Sequence, residues 1–179
     1  LLFLKKHCLL IPLKGNHEVM MMGSRTDSIC EKQWRGHGGA QTLLSYAPEK
    51  QYPILRDVPA EHWDFMEHEC LDCWETDTHI FVHANLAPDV PVNEQSDLQL
   101  FWEFLTDHPQ PHQSGKTMIC GHTSQDSGRP LNYGHTLCID TYVYGGGFLS
   151  CLDVGSGIVY QASQSGFRRQ LQIRSPRYA

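Results

Sequence analysis

Three polar motifs of the sequence each come directly after an apolar run. GNHE occupies residues 15–18, HAN residues 83–85 and GH residues 121–122. Strand ends in sheet proteins converge at one edge, where ligand and metal sites form, and imidazole nitrogens and amide oxygens coordinate divalent transition metals. A single histidine in such a place is usually a satisfied polar residue, and Asn16 alone is typical of a turn or a helix N-cap. Three such motifs in order favour a metal site.

The apolar runs before these motifs are short enough to be buried strands. Strands are predicted at 8–13, 78–83, 116–120, 136–140, 148–154 and 158–161. Helices are predicted from residue 19, over 40–46, from a start at 57–61, and over 98–105. The basic segment 168–179 has no pattern and is expected to be a solvated tail. Helices early in the chain and strands late predict an α/β fold with one sheet-based core, as a single domain over residues 1–179.

Composition and charge narrow the class of protein. The chain has 179 residues, 40% of them hydrophobic, and a formal net charge of −6, which indicates a globular protein without a nucleic-acid-binding surface. No apolar stretch reaches the length of a membrane span. The seven cysteines are odd in number, which favours a reduced chain in the cytoplasm. The sequence does not specify an oligomeric state.

The ordered motifs resemble those of the calcineurin-like metallophosphoesterases, and closely those of the bacterial branch of the phosphoprotein phosphatases, which act on phosphoserine and phosphothreonine. GNHE matches the third motif of that family in full. HAN is similar to the fourth motif, H(G/A)G, with Asn85 in the place of glycine, and GH matches the fifth. Segments 38–46 and 138–147 are also family-like. The resemblance spans almost the whole chain.

The resemblance implies a sandwich of two packed sheets flanked by helices, with two divalent metal ions. Manganese is the expected metal, with iron or zinc as alternatives. Asn16, His83 and His122 would ligate the second metal ion. His17 would be the general acid that protonates the leaving alkoxide, because a histidine can supply a proton near neutral pH. Glu18 would start a helix or support the site rather than bind metal.

The implied activity is hydrolysis of a phosphate monoester by a metal-activated hydroxide, with a phosphoserine or phosphothreonine protein as the expected substrate. A second reading with the same chemistry is hydrolysis of a dinucleoside polyphosphate such as diadenosine tetraphosphate. A third reading, of another class, is a binding or scaffold module that keeps the fold without catalysis. The partner is therefore expected to be a phosphorylated protein or a nucleotide, and neither a nucleic acid nor a membrane.

The sequence departs from the family pattern at its beginning. The first two motifs, GDxHG and GDxVDRG, do not occur in the 179 residues. In the family, these two motifs supply the ligands of the first metal ion and an arginine that binds phosphate. The chain begins with Leu1 and not with methionine, so we expect an N-terminal segment that carries both motifs.

A second departure follows the fourth motif. Related sequences often carry a phosphate-binding arginine shortly after a tryptophan, whereas here Trp102 is followed by Glu103 and Phe104. The substrate-binding residues therefore stay open. The arginines that could compensate are Arg25, Arg35 and Arg129.

Overall fold

The computed structural model of the chain describes residues 1–173. They fall into two compact units, Leu1–Asp72 and Cys73–Ala179, the second described up to residue 173. The first unit is helical, and both β-sheets lie in the second. The predicted α/β fold with two sheets is thereby confirmed, while a single domain over 1–179 stays a prediction.

The helices of the first unit surround a small apolar core. Trp34 and Leu43 are almost completely buried, together with Met21 and Val58. The Asp27 side chain caps the second helix by accepting a hydrogen bond from the Ile29 N–H at 2.8 Å. The helices are α1 (Asn16–Gly23), α2 (Ser28–Trp34), α3 (Ala40–Tyr46) and α4 (Ala60–Asp64), of which α3 has the predicted bounds.

The apolar segment 8–13 does not form a strand, contrary to the prediction. It contributes one bridge, between Leu13 and Leu71. The Leu71 N–H donates to the Pro12 carbonyl at 2.9 Å, and the Lys14 N–H donates to the Leu71 carbonyl at 2.8 Å. Because proline has no N–H, a ladder cannot continue through position 12. The segment still leads directly into the turn before α1.

The larger sheet of the second unit has five strands in the order β1-β2-β3-β5-β4. The three central strands, β2, β3 and β5, run parallel, and the two edge strands are antiparallel to their neighbours. The strands are β1 (Cys73–Glu75), β2 (His79–Val82), β3 (Thr117–Cys120), β4 (Leu131–Asn132) and β5 (Thr136–Cys138). Of these, β2, β3 and β5 were predicted, while β1 and β4 were not. The connection from β2 to β3 contains α5 (Asp97–Phe101), which is shorter than predicted.

The smaller sheet is an antiparallel meander of β6 (Leu149–Asp153), β7 (Ile158–Ala162) and β8 (Arg168–Gln172). The first two were predicted, and the turn between them is fixed by the Asp153 carboxylate, which accepts from the Gly155 N–H at 3.0 Å. The third replaces part of the predicted solvated tail. The remaining tail arginines, Arg174 and Arg177, lie outside the described residues.

Arg169 connects this sheet to neighbouring loops of the same unit. Its Nε donates to Gln161 Oε1 at 2.7 Å, and its Nη2 donates to the Gly128 carbonyl at 2.6 Å. Its guanidinium lies 3.7 Å above the centroid of the Phe148 ring. Gln161 is 3% exposed, so its amide would be left with a buried unpaired oxygen without this contact.

Among the described residues, no helix combines the length and the apolar character that crossing a bilayer requires. The cytoplasmic location stays a prediction.

We expect Arg169→Ala to lower the free energy of unfolding by about 1–3 kcal/mol, because it removes two hydrogen bonds from a charged group to half-buried or buried acceptors. Urea unfolding followed by circular dichroism measures this. Arg168→Ala is the matched control, since Arg168 is the exposed neighbour on the same strand and its loss should change stability by less than about 0.5 kcal/mol. Equal, small effects of the two variants would contradict the role given to Arg169.

Candidate metal centre

The structure places His83 and His122 side by side in the second unit. β2 and β3 are parallel neighbours, with Ile80 opposite Met118 in register. His83 comes one residue after β2, and His122 comes two residues after β3. Their ring centroids are 5.0 Å apart, with the planes inclined at 59°. Two of the three predicted ligands therefore meet at one edge of the sheet.

The His122 backbone adopts a left-handed conformation, with φ of 61°. For a non-glycine residue this conformation costs on the order of 1–3 kcal/mol and persists where the surroundings hold it. The Gly121 N–H donates to the His83 carbonyl at 2.9 Å, which extends the strand pairing into the turn. The Cys138 thiol donates to the Thr123 carbonyl at 3.3 Å on the other side. The imidazole is thus aimed by a turn fixed at both ends.

The His122 ring makes a further contact that suits a metal ligand. Its Nε2 lies 3.2 Å from the Trp102 carbonyl oxygen. A carbonyl accepts, so Nε2 carries the proton and the lone pair is on Nδ1. Metal-binding histidines commonly donate their other N–H to a backbone carbonyl in this way, which fixes the tautomer and orients the ring.

The spacing of the two rings also fits a shared metal ion. With metal–nitrogen bonds of about 2.1 Å and ligand angles of about 90–109°, two imidazole centroids would lie about 4.6–5.3 Å apart. The observed separation of the His83 and His122 centroids is 5.0 Å. The centroid separation of the pair is therefore compatible with one shared divalent cation.

Two cysteines, Cys120 and Cys138, lie next to the turn that carries His122. Cys120 and Cys138 are paired in register on β3 and β5, and both are buried. A hydrogen bond with Cys138, together with burial, raises the pKa of Cys120 well above its ordinary value. Cys120 therefore stays a neutral thiol, which is a poor metal ligand.

An aromatic residue that sequence reasoning did not assign to the site lies against His122. The Phe104 ring stacks on the imidazole with centroids 4.6 Å apart and planes at 23°. The Asn85 side chain donates to the Phe104 carbonyl at 3.3 Å. The sequence marks Phe104 only as part of the departure after Trp102, because its place beside His122 comes from contacts between separate segments.

In the first unit, Asn16 and His17 are the first two residues of α1. Asn16 is partly buried, and the His17 side chain is exposed. Glu18 reaches back so that its Oε2 accepts from the Gly15 N–H at 2.8 Å. Glu18 thus acts at the helix start, as expected for this residue.

The turn Arg35–Gly39 between α2 and α3 lies against His17. Gly38 in this turn has φ of 104°, and a Cβ built on it would be 3.7 Å from His17 Cε1. The Gly38 carbonyl accepts from the Thr42 hydroxyl at 3.3 Å. His17, which the family resemblance implies as the general acid, therefore has the backbone of Gly38 as a neighbour.

The predicted set of site residues is divided between the two units, with Asn16 and His17 in the first and His83 and His122 in the second. Within residues 1–173 no group of three or more histidine, cysteine, aspartate or glutamate side chains could hold a metal ion. The predicted ligand set is of another kind, because it combines two histidines with an asparagine amide.

Two of the three candidate phosphate-binding arginines are engaged within the protein. Arg25 Nη1 lies 3.0 Å from Glu67 Oε2. Arg35 is 2.8 Å from Glu31 Oε1. Arg129 is exposed in the loop that follows the His122 turn. Which of the three contacts phosphate stays an open prediction.

Compared with known proteins, the chain matches no family model, no curated protein and no solved structure. The support for a functional proposal therefore comes from the order of the motifs and from the geometry of His83 and His122.

We expect Gly38→Ala to destabilise the protein by about 1–2 kcal/mol, because an L-residue is strained in the left-handed region. Gly36→Ala is the matched control in the same turn, since a Cβ there would meet no atom within 4 Å. Urea unfolding gives the free energies, and the His17 imidazole signals in NMR report whether the turn has moved. A Gly38→Ala variant as stable as Gly36→Ala would rule out the left-handed turn.

Proposed function

We propose that the chain belongs to a metal-dependent phosphoester hydrolase of the serine/threonine protein phosphatase type, built on a calcineurin-like metallophosphoesterase fold. The observation that carries this proposal is the pairing of His83 and His122 at adjoining parallel strand ends. These are the positions of the fourth and fifth family-like motifs, and the third motif supplies Asn16 and His17 at the start of α1.

His83, His122 and Asn16 would together hold one of two divalent cations, manganese in the first place. Two nitrogen ligands and an amide oxygen are a donor set that manganese, iron and zinc accept. When bound, such cations supply an activated water nucleophile and neutralise phosphoryl charge. The protein would contribute by fixing the His122 tautomer through the Trp102 carbonyl and by placing both rings just after the ends of adjoining parallel strands.

His17 would act on the leaving group. As the P–O bond to the leaving oxygen breaks, the imidazolium donates its proton to that oxygen, so that the product leaves as an alcohol rather than an alkoxide. The neutral imidazole then regains a proton from solvent, to which the side chain is exposed. A histidine suits this step because its ordinary pKa lies close to neutral pH.

We expect His83→Ala to lower manganese affinity by more than about 10-fold, because it removes a ligand and even supporting contacts of a metal site are worth 10–100-fold. The measurement is elemental analysis and manganese titration of the protein expressed from its full coding sequence. His79→Ala is the control, since His79 lies on the same strand, where its Nδ1 is hydrogen-bonded to the Thr78 hydroxyl at 2.8 Å. Unchanged manganese occupancy in His83→Ala would remove His83 as a ligand.

We expect His17→Ala to lower kcat on a phosphoserine peptide by about 10²–10⁴-fold while metal content is unchanged, because general acid catalysis contributes a factor of this size. Phosphate release with added manganese measures it, and His68→Ala, another exposed histidine of the first unit, is the control. Full activity of His17→Ala would exclude His17 as the acid. A wild-type protein that neither releases phosphate from the phosphopeptide nor cleaves diadenosine tetraphosphate into nucleotides would instead favour the binding or scaffold hypothesis.

A further inference from the structure

A cavity of about 340 Å³ in the first unit is lined by two arginines and a tryptophan. Its lining residues are Arg25, Leu55, Arg56 and Trp63. They come from three separate places, the turn after α1, the 3₁₀ turn Leu55–Asp57 and α4. Two cations at one cavity repel each other, and they stand out in a chain with a formal net charge of −6. A concave surface lined by cations favours an anionic ligand.

Arg25 is held in the wall of this cavity by two contacts. Its guanidinium carbon lies 5.1 Å from the centroid of the Trp63 ring, which is a cation–π distance. Its Nη1 donates to Glu67 Oε2 at 3.0 Å. Within residues 1–173 its side chain makes no other hydrogen bond or ion pair, so Nε and Nη2 keep their donor capacity. A guanidinium that is oriented in advance loses less rotamer freedom when an anion binds to it.

Arg56 supplies the charge that is not compensated within the cavity. Its side chain is exposed, and no acidic group among the described residues pairs with it. The neighbouring carboxylate of Asp57 is paired with Lys50 instead. Glu67 balances the charge of Arg25 alone, so the two arginines together leave an excess of positive charge at the cavity. An anion with acceptor oxygens on two sides can use both guanidiniums.

We propose that Arg25 and Arg56 form a binding site for a phosphate group. A guanidinium presents parallel N–H donors that match the spacing of phosphate oxygens. A phosphate dianion has enough oxygens to accept from two guanidiniums at once, whereas one guanidinium already satisfies a carboxylate. The inference goes beyond the proposed function, because it uses none of the candidate metal ligands and holds whether or not the protein is a hydrolase. The phosphate comes either as the free ion or on a phosphorylated side chain, and the experiment separates these two sources.

The test follows the indole N–H signal of Trp63 by NMR while inorganic phosphate is added to the protein expressed from its full coding sequence. Trp63→Phe assigns the signal. We expect a saturable shift with a Kd in the millimolar range, and binding of acetate that is weaker by about 5-fold or more. Arg56→Gln should weaken phosphate binding about 5- to 20-fold, because it removes one of two charge-assisted partners. Glu67→Gln should strengthen it about 2- to 3-fold, because it removes a competing negative charge.

Arg168→Gln is the matched control, since Arg168 is an exposed arginine of the second unit, and it should leave the phosphate affinity at Trp63 unchanged. Thermal unfolding verifies that the variants are folded, which their exposed positions favour. The proposal is overturned by the absence of a saturable shift, by an unchanged affinity in Arg56→Gln, or by acetate binding as tightly as phosphate. An equal loss in Arg168→Gln and Arg56→Gln also overturns it, because the effect would then be one of net charge.

The source of the phosphate is decided at the same Trp63 signal. A peptide with a non-hydrolysable phosphonate in place of phosphoserine that binds more tightly than inorganic phosphate identifies a phosphorylated chain as the ligand. Weaker binding of the peptide identifies the free ion, and both results support the site. Phosphate release from esters is measured separately. A protein that binds phosphate at this cavity and hydrolyses nothing would lose the proposed hydrolase function but keep the site, and hydrolysis without binding at Trp63 would mean the reverse.

Discussion

The parallel pairing of β2 with β3 is the interaction on which the candidate site depends. Parallel neighbours leave a sheet at the same edge, so the residues that follow them, His83 and His122, emerge together. The Gly121 N–H to the His83 carbonyl continues the pairing beyond the strands. A slip of one residue in this register would turn every side chain of a strand to the opposite face. The same register that buries Ile80 and Met118 therefore also sets the spacing of the imidazoles.

Several segments of the second unit hold the left-handed backbone at His122 in place. A histidine at φ of 61° is tolerated because several contacts hold it at once. The Trp102 carbonyl oxygen accepts a hydrogen bond from the His122 ring, and the Cys138 thiol donates to the Thr123 carbonyl in the same turn. These contacts come from two separate segments. One is the connection between β2 and β3 that contains α5, and the other is the strand β5. The two segments come together only when the unit folds. A strained residue supported from separate segments is characteristic of functional sites more than of ordinary turns, and here it coincides with a motif position.

The sequence predicted the strands that lead to the histidine pair, and it failed at β8 and at segment 8–13 for different reasons. The strands β2, β3 and β5 and the helix α3 are visible as apolar runs or helical segments. β8 was missed because its half-buried positions are held by Arg169 and Leu171, and an arginine in an inward position breaks the alternation that identifies a strand. Segment 8–13 is apolar enough to suggest a strand, but Pro12 prevents a ladder. The histidine pair was predictable from motifs. The position of Phe104 was not, because it comes from three hydrogen bonds between backbone groups of residues 102–105 and the side chains of Asn85, His122 and Thr123.

The two units present the candidate site residues in different ways. In the second unit, the sheet edge and the Trp102 carbonyl fix two imidazoles at a spacing suited to one cation. In the first unit, the start of α1 presents an exposed His17 against the glycine backbone of the Arg35–Gly39 turn. Under the proposed function, the sheet edge would supply the two histidine ligands, while the start of α1 would supply both the third ligand, Asn16, and the acid, His17. A change confined to His17 is then expected to alter turnover without altering metal content, which is the behaviour required of a general acid that is not itself a ligand.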